Sequence, residues 1–287
     1  LNMGVNGGWP HFYGSANSMP AYVDSLKAMG IKFVSAYAKN PEKGLPYIHA
    51  VIILTEPETG CPIAVVDGTY ITAVRTGSAS AVAIKHLARK DSSVVGIIGA
   101  GLQGRMHIMA LKEIMNISEI KITDIREEAA DKCAKEMREL LGINVRNVKS
   151  NEEAVNGSDI VITVTVADEP LVKKEWLKKG ALVVSVGSYQ ELDEQITLTC
   201  DKLIVDSWLQ NSHRGELMKL VRDGRINEKN IYSELGYIVS GNKAGRENDE
   251  ELICACLIGM GSLDIGAAKF VYDKLNDTKG VEKIDLT

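Results

Sequence analysis

The stretch "SSVVGIIGAGLQGRMHIMALKEIM" constrains the fold more than any other part of this 287-residue chain. An apolar run of strand length ends in glycines at 99, 101 and 104, and Leu102, Met106, Met109 and Leu111 follow at close to helical spacing. An apolar run without alternation marks a parallel strand covered on both faces. In a strand–turn–helix unit of this kind, Gly99 permits the turn, Gly101 lets backbone approach a pyrophosphate, and Gly104 lets the helix pack on the strand. The pyrophosphate would lie beside Leu102 and Gln103 at the helix N-terminus, where free N–H groups and the helix dipole favour an anion.

Glycines at this spacing are weak evidence alone; the residues that follow strengthen it. Strand-like "EIKITD" (119–124) ends in Asp124, twenty residues after Gly104, where a carboxylate accepts hydrogen bonds from an adenosine ribose. That carboxylate would repel a 2′-phosphate, so NAD is expected rather than NADP, with the nearby Arg126 as the residue that qualifies this. The pattern then repeats: a helix over 126–141, strands over 143–148 and 159–165 separated by a short helix at "NEEAV", and strands over 181–187 and 202–206. Such alternation specifies an α/β fold, a Rossmann-type parallel sheet with helices on both faces. Thr165 at one strand end and Gly187–Ser188 at the next would line the nicotinamide side, mainly through backbone.

The flanks read differently. Residues 31–38, 47–54 and 62–67 form β-rich runs separated by the turn signals "NPEKG" and "EPETG", and a helix over 71–89 leads into the nucleotide fold. A further helix in "GMGSLDIGAAKFVYDKL" is expected to return to the first part. The Rossmann domain (89–264) is therefore expected to be inserted in a smaller β-rich α+β substrate and dimerisation domain (1–88 plus 265–287), with the substrate meeting the nicotinamide between them. The chain opens without a methionine, which leaves room for a leading segment carrying further site residues.

Composition narrows the class. A net charge of −5 and 5% aromatic residues give no general attraction to nucleic acid and no stacking platform. No apolar run approaches the roughly 18 residues of a membrane span. Five cysteines at scattered spacings, two of them within "LICACLI", read as small core residues of a protein in a reducing cytoplasm. No metal site is expected. His107 and His213 are read as packing residues rather than catalytic ones.

On the motifs "MPAY", "GIKFVSAYAKNP", "ETGCPIAVVDGTYITAVRTGSASAVA", "GIIGAGLQGRMH", "DIVITVT", "SELGYIVSG", "GRENDEE" and "GMGSLDIG", the chain resembles the ornithine cyclodeaminase/mu-crystallin family over nearly its whole length. The resemblance implies NAD(P)H binding, a homodimer joined through the β-rich domain, and hydride transfer between the nicotinamide and the α-carbon of an amino or imino acid. It makes Lys32 the active-site lysine, Arg75 the substrate-carboxylate arginine, and Asp264 a carboxylate of the site. The physics fits. A guanidinium fork fixes a carboxylate bidentately, and a lysine enclosed beside another cation can accept the proton of a substrate ammonium. Only an uncharged amine can push hydride off its carbon. Without the resemblance Lys32 would read as a strand residue reaching solvent, Arg75 as a helix-surface ion pair, and Asp264 as a helix N-terminal charge.

One departure bears on the reaction. Cyclodeaminases of the family carry an acidic Gly-Gly-Asp-Cys-Pro-Gly loop where this chain has "VGSYQELD", with Ser188, Tyr189 and Gln190 in its place and Asp193 as the acid that could fold back. The family's additional N-terminal arginine also has no match in "NGGWPHFYG". Three readings follow. They are an NAD-dependent oxidoreductase of alanine-dehydrogenase or imine-reductase type, a redox-neutral ammonia lyase of cyclodeaminase type, and a mu-crystallin-like binding protein for NADPH and a hormone-like ligand.

Overall fold

A computed structural model describes residues 14–167 and 169–275. The stretch 1–13, which holds nearly all of "NGGWPHFYG" and the methionine-less start, lies outside the described residues, as do the last twelve residues of the expected substrate domain.

The chain begins with β1 (Gly14–Val23), β2 (Ala28–Tyr37), β3 (Ile48–Thr55), β4 (Pro62–Asp67) and α1 (Gly68–Leu87). Next come β5 (Val94–Ile98), α2 (Leu102–Lys112), β6 (Glu119–Thr123), α3 (Glu127–Leu141), β7 (Val145–Asn147), α4 (Asn151–Val155) and β8 (Ile160–Thr163). It continues through β9 (Leu182–Val186), α5 (Glu194–Thr199), β10 (Lys202–Val205), α6 (Trp208–Asn211) and α7 (Met218–Arg222). β11 (Ser233–Glu234), α8 (Leu235–Val239), β12 (Ile253–Leu257) and α9 (Gly261–Leu275) complete it. None of the described helices is long and apolar enough to cross a membrane.

Two compact units result, Leu1–Arg75 with Met260–Thr287, and Thr76–Gly259. These divisions fall earlier in the chain than the 88/89 and 264/265 expected from sequence. The reason is that α1 contributes to two cores: Ile71 near its start packs with Ile52, Leu54 and Ile265, while Ala83, Ile84 and Leu87 pack with Val95 and Ile97. A helix read from periodicity alone shows no seam at Arg75.

The first unit is an antiparallel sheet in the order β1-β2-β3-β4. Along β3, Ala50, Ile52 and Leu54 are buried while His49, Val51 and Ile53 are exposed, the period of a half-covered sheet. α9 covers the buried face through Ile265 and Ala268. β1 escaped the sequence reading because "GSANSMPAYV" has neither an apolar run nor alternation. Its Pro20 is tolerated because β1 is an edge strand.

The second unit is a parallel sheet in the order β11-β10-β12-β9-β8-β5-β6-β7. From β5 the chain winds outward to β6 and β7, then returns to β8 on the other side. This reversal opens a crevice at the carboxyl ends of β5 and β8, the place where open α/β sheets bind ligands. Both faces are covered: Val95, Ile97, Ile120, Ile160 and Leu182 pack on one side, Ile98, Val161, Val183, Cys254 and Cys256 on the other. Each such Val or Ile contributes roughly 1.5–3 kcal/mol through burial, so the polar loops at the strand ends rest on a rigid base.

Candidate active site

The three glycines divide their duties. Gly99 has φ +112°, and a side chain there would meet the Val164 carbonyl oxygen at 2.8 Å. A Cβ on Gly104 would lie 2.2 Å from the Gly99 carbonyl oxygen, so α2 approaches β5 only through glycine. Beside Gly101 there is open space, with nothing within 4 Å of a Cβ. Gly101 is also the N-cap of α2 and supplies no side chain to its first N–H groups. Arg105 donates to the carbonyls of Ala100 and Gly101 and to Glu136, occupying the loop's acceptors. Leu102 is half exposed, and the Gln103 side-chain oxygen is buried without a hydrogen-bond partner. An open backbone face at the start of an eleven-residue helix, whose first N–H groups have no side-chain cap, fits a dinucleotide pyrophosphate.

Asp124, at the end of β6, accepts from the Ala100 N–H at 2.8 Å and the Arg126 N–H at 3.0 Å. Arg126 is largely exposed, with its Nε 3.8 Å from the same carboxylate. A carboxylate offers about four lone-pair sites, so two backbone bonds leave capacity for ribose hydroxyls. His107 is buried, its Nδ1 2.8 Å from the Gln103 carbonyl and its Nε2 2.8 Å from the Ser80 hydroxyl. Burial pushes its pKa down to about 4, so it is a neutral packing residue near pH 7.

At the next strand ends the structure reveals two acids that the sequence reading passed over. Thr165 donates its N–H (2.8 Å) and its hydroxyl (2.5 Å) to one oxygen of Glu191, whose side chain is fully buried. Beneath it Glu216, also buried, accepts from the Ser185 hydroxyl (2.9 Å) and from the N–H groups of Glu191 (2.9 Å) and Leu192 (3.1 Å). Gly187, at φ +112°, ends β9 and donates to the Leu257 carbonyl, and Ser188 beyond it is exposed. Asp193 N-caps α5 through the Gln195 N–H at 3.0 Å. "QELD" looks like a solvated loop, and only tertiary packing shows that its glutamate points inward.

Burial pushes the Glu216 carboxyl from its ordinary 4.5 up to about 7, against three donors and in company with the Glu191 charge. A carboxyl raised in the folded state contributes stability that is whole below about pH 4.5 and lost as pH rises through about 7. The contribution is on the order of 3 kcal/mol. Burial pushes Glu191 in the same direction. Thermal stability is therefore expected to fall between pH 5 and 8, and Glu216→Gln to make that slope shallower. Parallel melting-temperature curves for the two proteins across this range would refute the assignment.

In the first unit Lys32, Arg75 and Asp264 converge. Lys32 lies mid-strand in β2, opposite Met19 and Ile52, in the buried row with Ala28 and Gly30. Its Nζ is 2.6 Å from Asp264 Oδ2, with the side chains 1% and 0% exposed. The strand-to-solvent reading of Lys32 therefore fails. Arg75 donates Nε to Asp264 Oδ1 at 2.7 Å and is 12% exposed. Asp264 lies in the first turn of α9, so it meets the helix dipole and both cations at once. Among the described residues, Lys32 and Arg75 both reach the one carboxylate of Asp264. Two cationic side chains gathered on one buried carboxylate suit the cluster to receive an anion.

The model of the ornithine cyclodeaminase/mu-crystallin family matches residues 9–279. An alanine dehydrogenase of Archaeoglobus fulgidus is 39% identical over 264 residues, covering 91% of this chain and 80% of its own. A Thermococcus litoralis Δ1-pyrroline-2-carboxylate reductase, solved with NADH and L-proline, is 40% identical with a TM-score of 0.92, covering 96% of this chain and 86% of that one. An archaeal alanine dehydrogenase dimer with bound NAD is 38% identical with a TM-score of 0.89, covering 96% and 85%.

Proposed function

The chain belongs to the ornithine cyclodeaminase/mu-crystallin family, and we propose that it is an NAD-dependent oxidoreductase acting at the α-carbon of a small L-amino acid or the corresponding imine. The observation that carries this reading is the buried Lys32–Asp264–Arg75 cluster, in which two cationic side chains meet on one carboxylate. The relatives named alanine dehydrogenase and pyrroline-2-carboxylate reductase act on substrates that share a carboxylate next to a carbon–nitrogen bond.

NAD bound over the 99–104 loop supplies the hydride acceptor, and its reduced form the donor. Arg75 holds the substrate carboxylate: Asp264 occupies its Nε edge, and the Nη1/Nη2 edge is the fork for the anion. Lys32 moves the proton of the substrate nitrogen, and Asp264 positions both cations. Gly99, Gly101, Leu102, Gln103 and Gly104 hold the pyrophosphate, Asp124 and Arg126 flank the ribose, and Thr165, Gly187 and Ser188 face the nicotinamide.

Ring-closing deamination needs an anion for the distal ammonium. Ser188, Tyr189 and Gln190 are neutral, Asp193 is engaged as a helix cap, and Glu191 is turned inward on Thr165. The test is an assay of NADH and ammonia formation over a panel of L-amino acids, with ornithine and catalytic NAD in a parallel arm. Stoichiometric NADH with the best substrate supports the proposal. Steady proline formation from ornithine without net NADH would establish the lyase instead, and inactivity on every substrate would favour a binding protein. In the same series NAD(H) is expected to bind at least tenfold more tightly than NADP(H), about 1.4 kcal/mol. Equal affinities would shift the ribose assignment from Asp124 to Arg126.

The exposed face of the small sheet supports a homodimer. Phe33 lies opposite Val51 and Ile53 opposite Val65, and all four are exposed. A contiguous apolar patch on one sheet face marks an association surface, and a two-fold copy of the chain buries it on both sides. Val65→Asp is expected to convert a dimer to a monomer in sedimentation equilibrium, and an unchanged mass would exclude this face.

A further inference from the structure

Glu191, in the loop after β9, is tied to the segment after β8 that forms one wall of the switch-point crevice. Its carbonyl accepts from the N–H groups of Leu171 (2.7 Å) and Val172 (3.2 Å), in the segment that follows β8. Its own N–H donates to Glu216, and its side chain reaches Thr165 immediately beyond β8. Thr165 in turn fixes the following residue pair, its hydroxyl accepting from the Ala167 N–H at 3.1 Å. The residue before it, Val164, donates to the Ile98 carbonyl at 2.9 Å, and its own carbonyl is the atom that bars a side chain from Gly99. A hydrogen-bonded chain thus runs from buried Glu216 through Glu191 to the wall of the glycine turn.

A buried acid is an expensive way to hold a loop, since an apolar residue of similar size avoids its desolvation. Glu191 gives one oxygen to both Thr165 donors, its other oxygen is buried, and the Thr163 side chain also approaches the carboxylate. We propose that Glu191 is a positioning residue for the cofactor: by accepting both donors of Thr165 it sets the carboxyl end of β8 at the distance from the glycine turn that the nicotinamide-ribose half of NAD requires. This rests on the reading of Thr165 as part of the nicotinamide side.

Acceptance, not charge, is what the geometry uses. A glutamine carbonyl oxygen can take both Thr165 bonds, and its amide fills the place of the second oxygen. NADH fluorescence titration and steady-state kinetics on the full chain test this with Glu191→Ala, Glu191→Gln, Thr165→Val and the double variant Glu191→Ala/Thr165→Val. Glu191→Ala is expected to weaken NADH binding at least tenfold and to lower kcat, with the KM for the amino acid unchanged. Glu191→Gln should recover most of that loss. The double variant should be no worse than the worse single variant, as for two residues acting as one. A Glu191→Ala protein with a lowered melting temperature but wild-type NADH affinity and kcat would leave Glu191 a structural residue and overturn the proposal. So would additive losses in the double variant, or a glutamine variant as impaired as the alanine one. If Glu191→Ala does not fold, Thr165→Val alone decides: unchanged NADH affinity refutes the coupling, and a loss that Glu191→Gln does not deepen supports it. Failure of the wild-type chain to bind NADH would instead remove the functional reading beneath.

Discussion

Replacing Lys32 by alanine is expected to lower turnover by about 10²–10⁴-fold, the usual worth of a positioned general acid or base, while NADH binds with wild-type affinity. The separation follows from placement: Lys32 belongs to the antiparallel unit, and the glycine turn, Asp124 and Thr165 belong to the parallel one. The fold should survive, because Arg75 still neutralises Asp264 at 2.7 Å when the ammonium is gone. The aliphatic stem leaves a void, which costs stability in a close-packed core. Lys32→Met fills most of that void and serves as the control for folding. Both variants should lose the limb of the pH–rate profile that reports the amine. A variant with near-normal activity and an unchanged profile would show that another group moves the proton.

That prediction depends on a contact the sequence could not display. The strand–glycine–helix unit was legible because its chemistry is local: the apolar run, the three glycines and Asp124 lie within about one βαβ unit, a length at which periodicity and turn preferences act directly. The parallel strands were legible for the same reason, and β5, β6, β7, β8, β9 and β10 fall within the runs read as strands. The limit appears where partners are distant. Asp264 and Arg75 are 189 residues apart, and only the packing of α9 on the small sheet brings them together. A lysine in "GIKFVSAY" obeys the alternation of β2 and so lands on the buried face, but alternation also permits the opposite phase. Glu191 was invisible for a third reason. Its neighbours are polar, so the local pattern signals a solvated loop, and the donors that hold it come from β8's end and from Glu216. β1 shows the reverse case, a strand without strand composition, recruited by pairing along all ten residues of β2.

Arg75→Lys keeps the charge and is expected still to lower kcat/KM by about two orders of magnitude or more, since small misplacement of a reacting centre carries a penalty of that size. Arg75 meets two demands with different edges of one planar group: Nε binds Asp264, and the remaining fork is left for the substrate. An ammonium has no second edge. Placed at position 75 it would be drawn to Asp264, the carboxylate that Lys32 already approaches to 2.6 Å, and would present a point charge rather than a paired donor to the anion. The substrate would still be attracted, because two cations still face one carboxylate. Its carboxylate plane would no longer be fixed, and the α-hydrogen would sample directions away from the hydride path. The loss should therefore appear in kcat as well as KM, with NADH affinity unchanged, because an interaction that orients is felt most in the transition state. A rise in KM alone would reduce Arg75 to an electrostatic attractor of substrate. A loss confined to NADH binding would move Arg75 out of the substrate site and into the cofactor site.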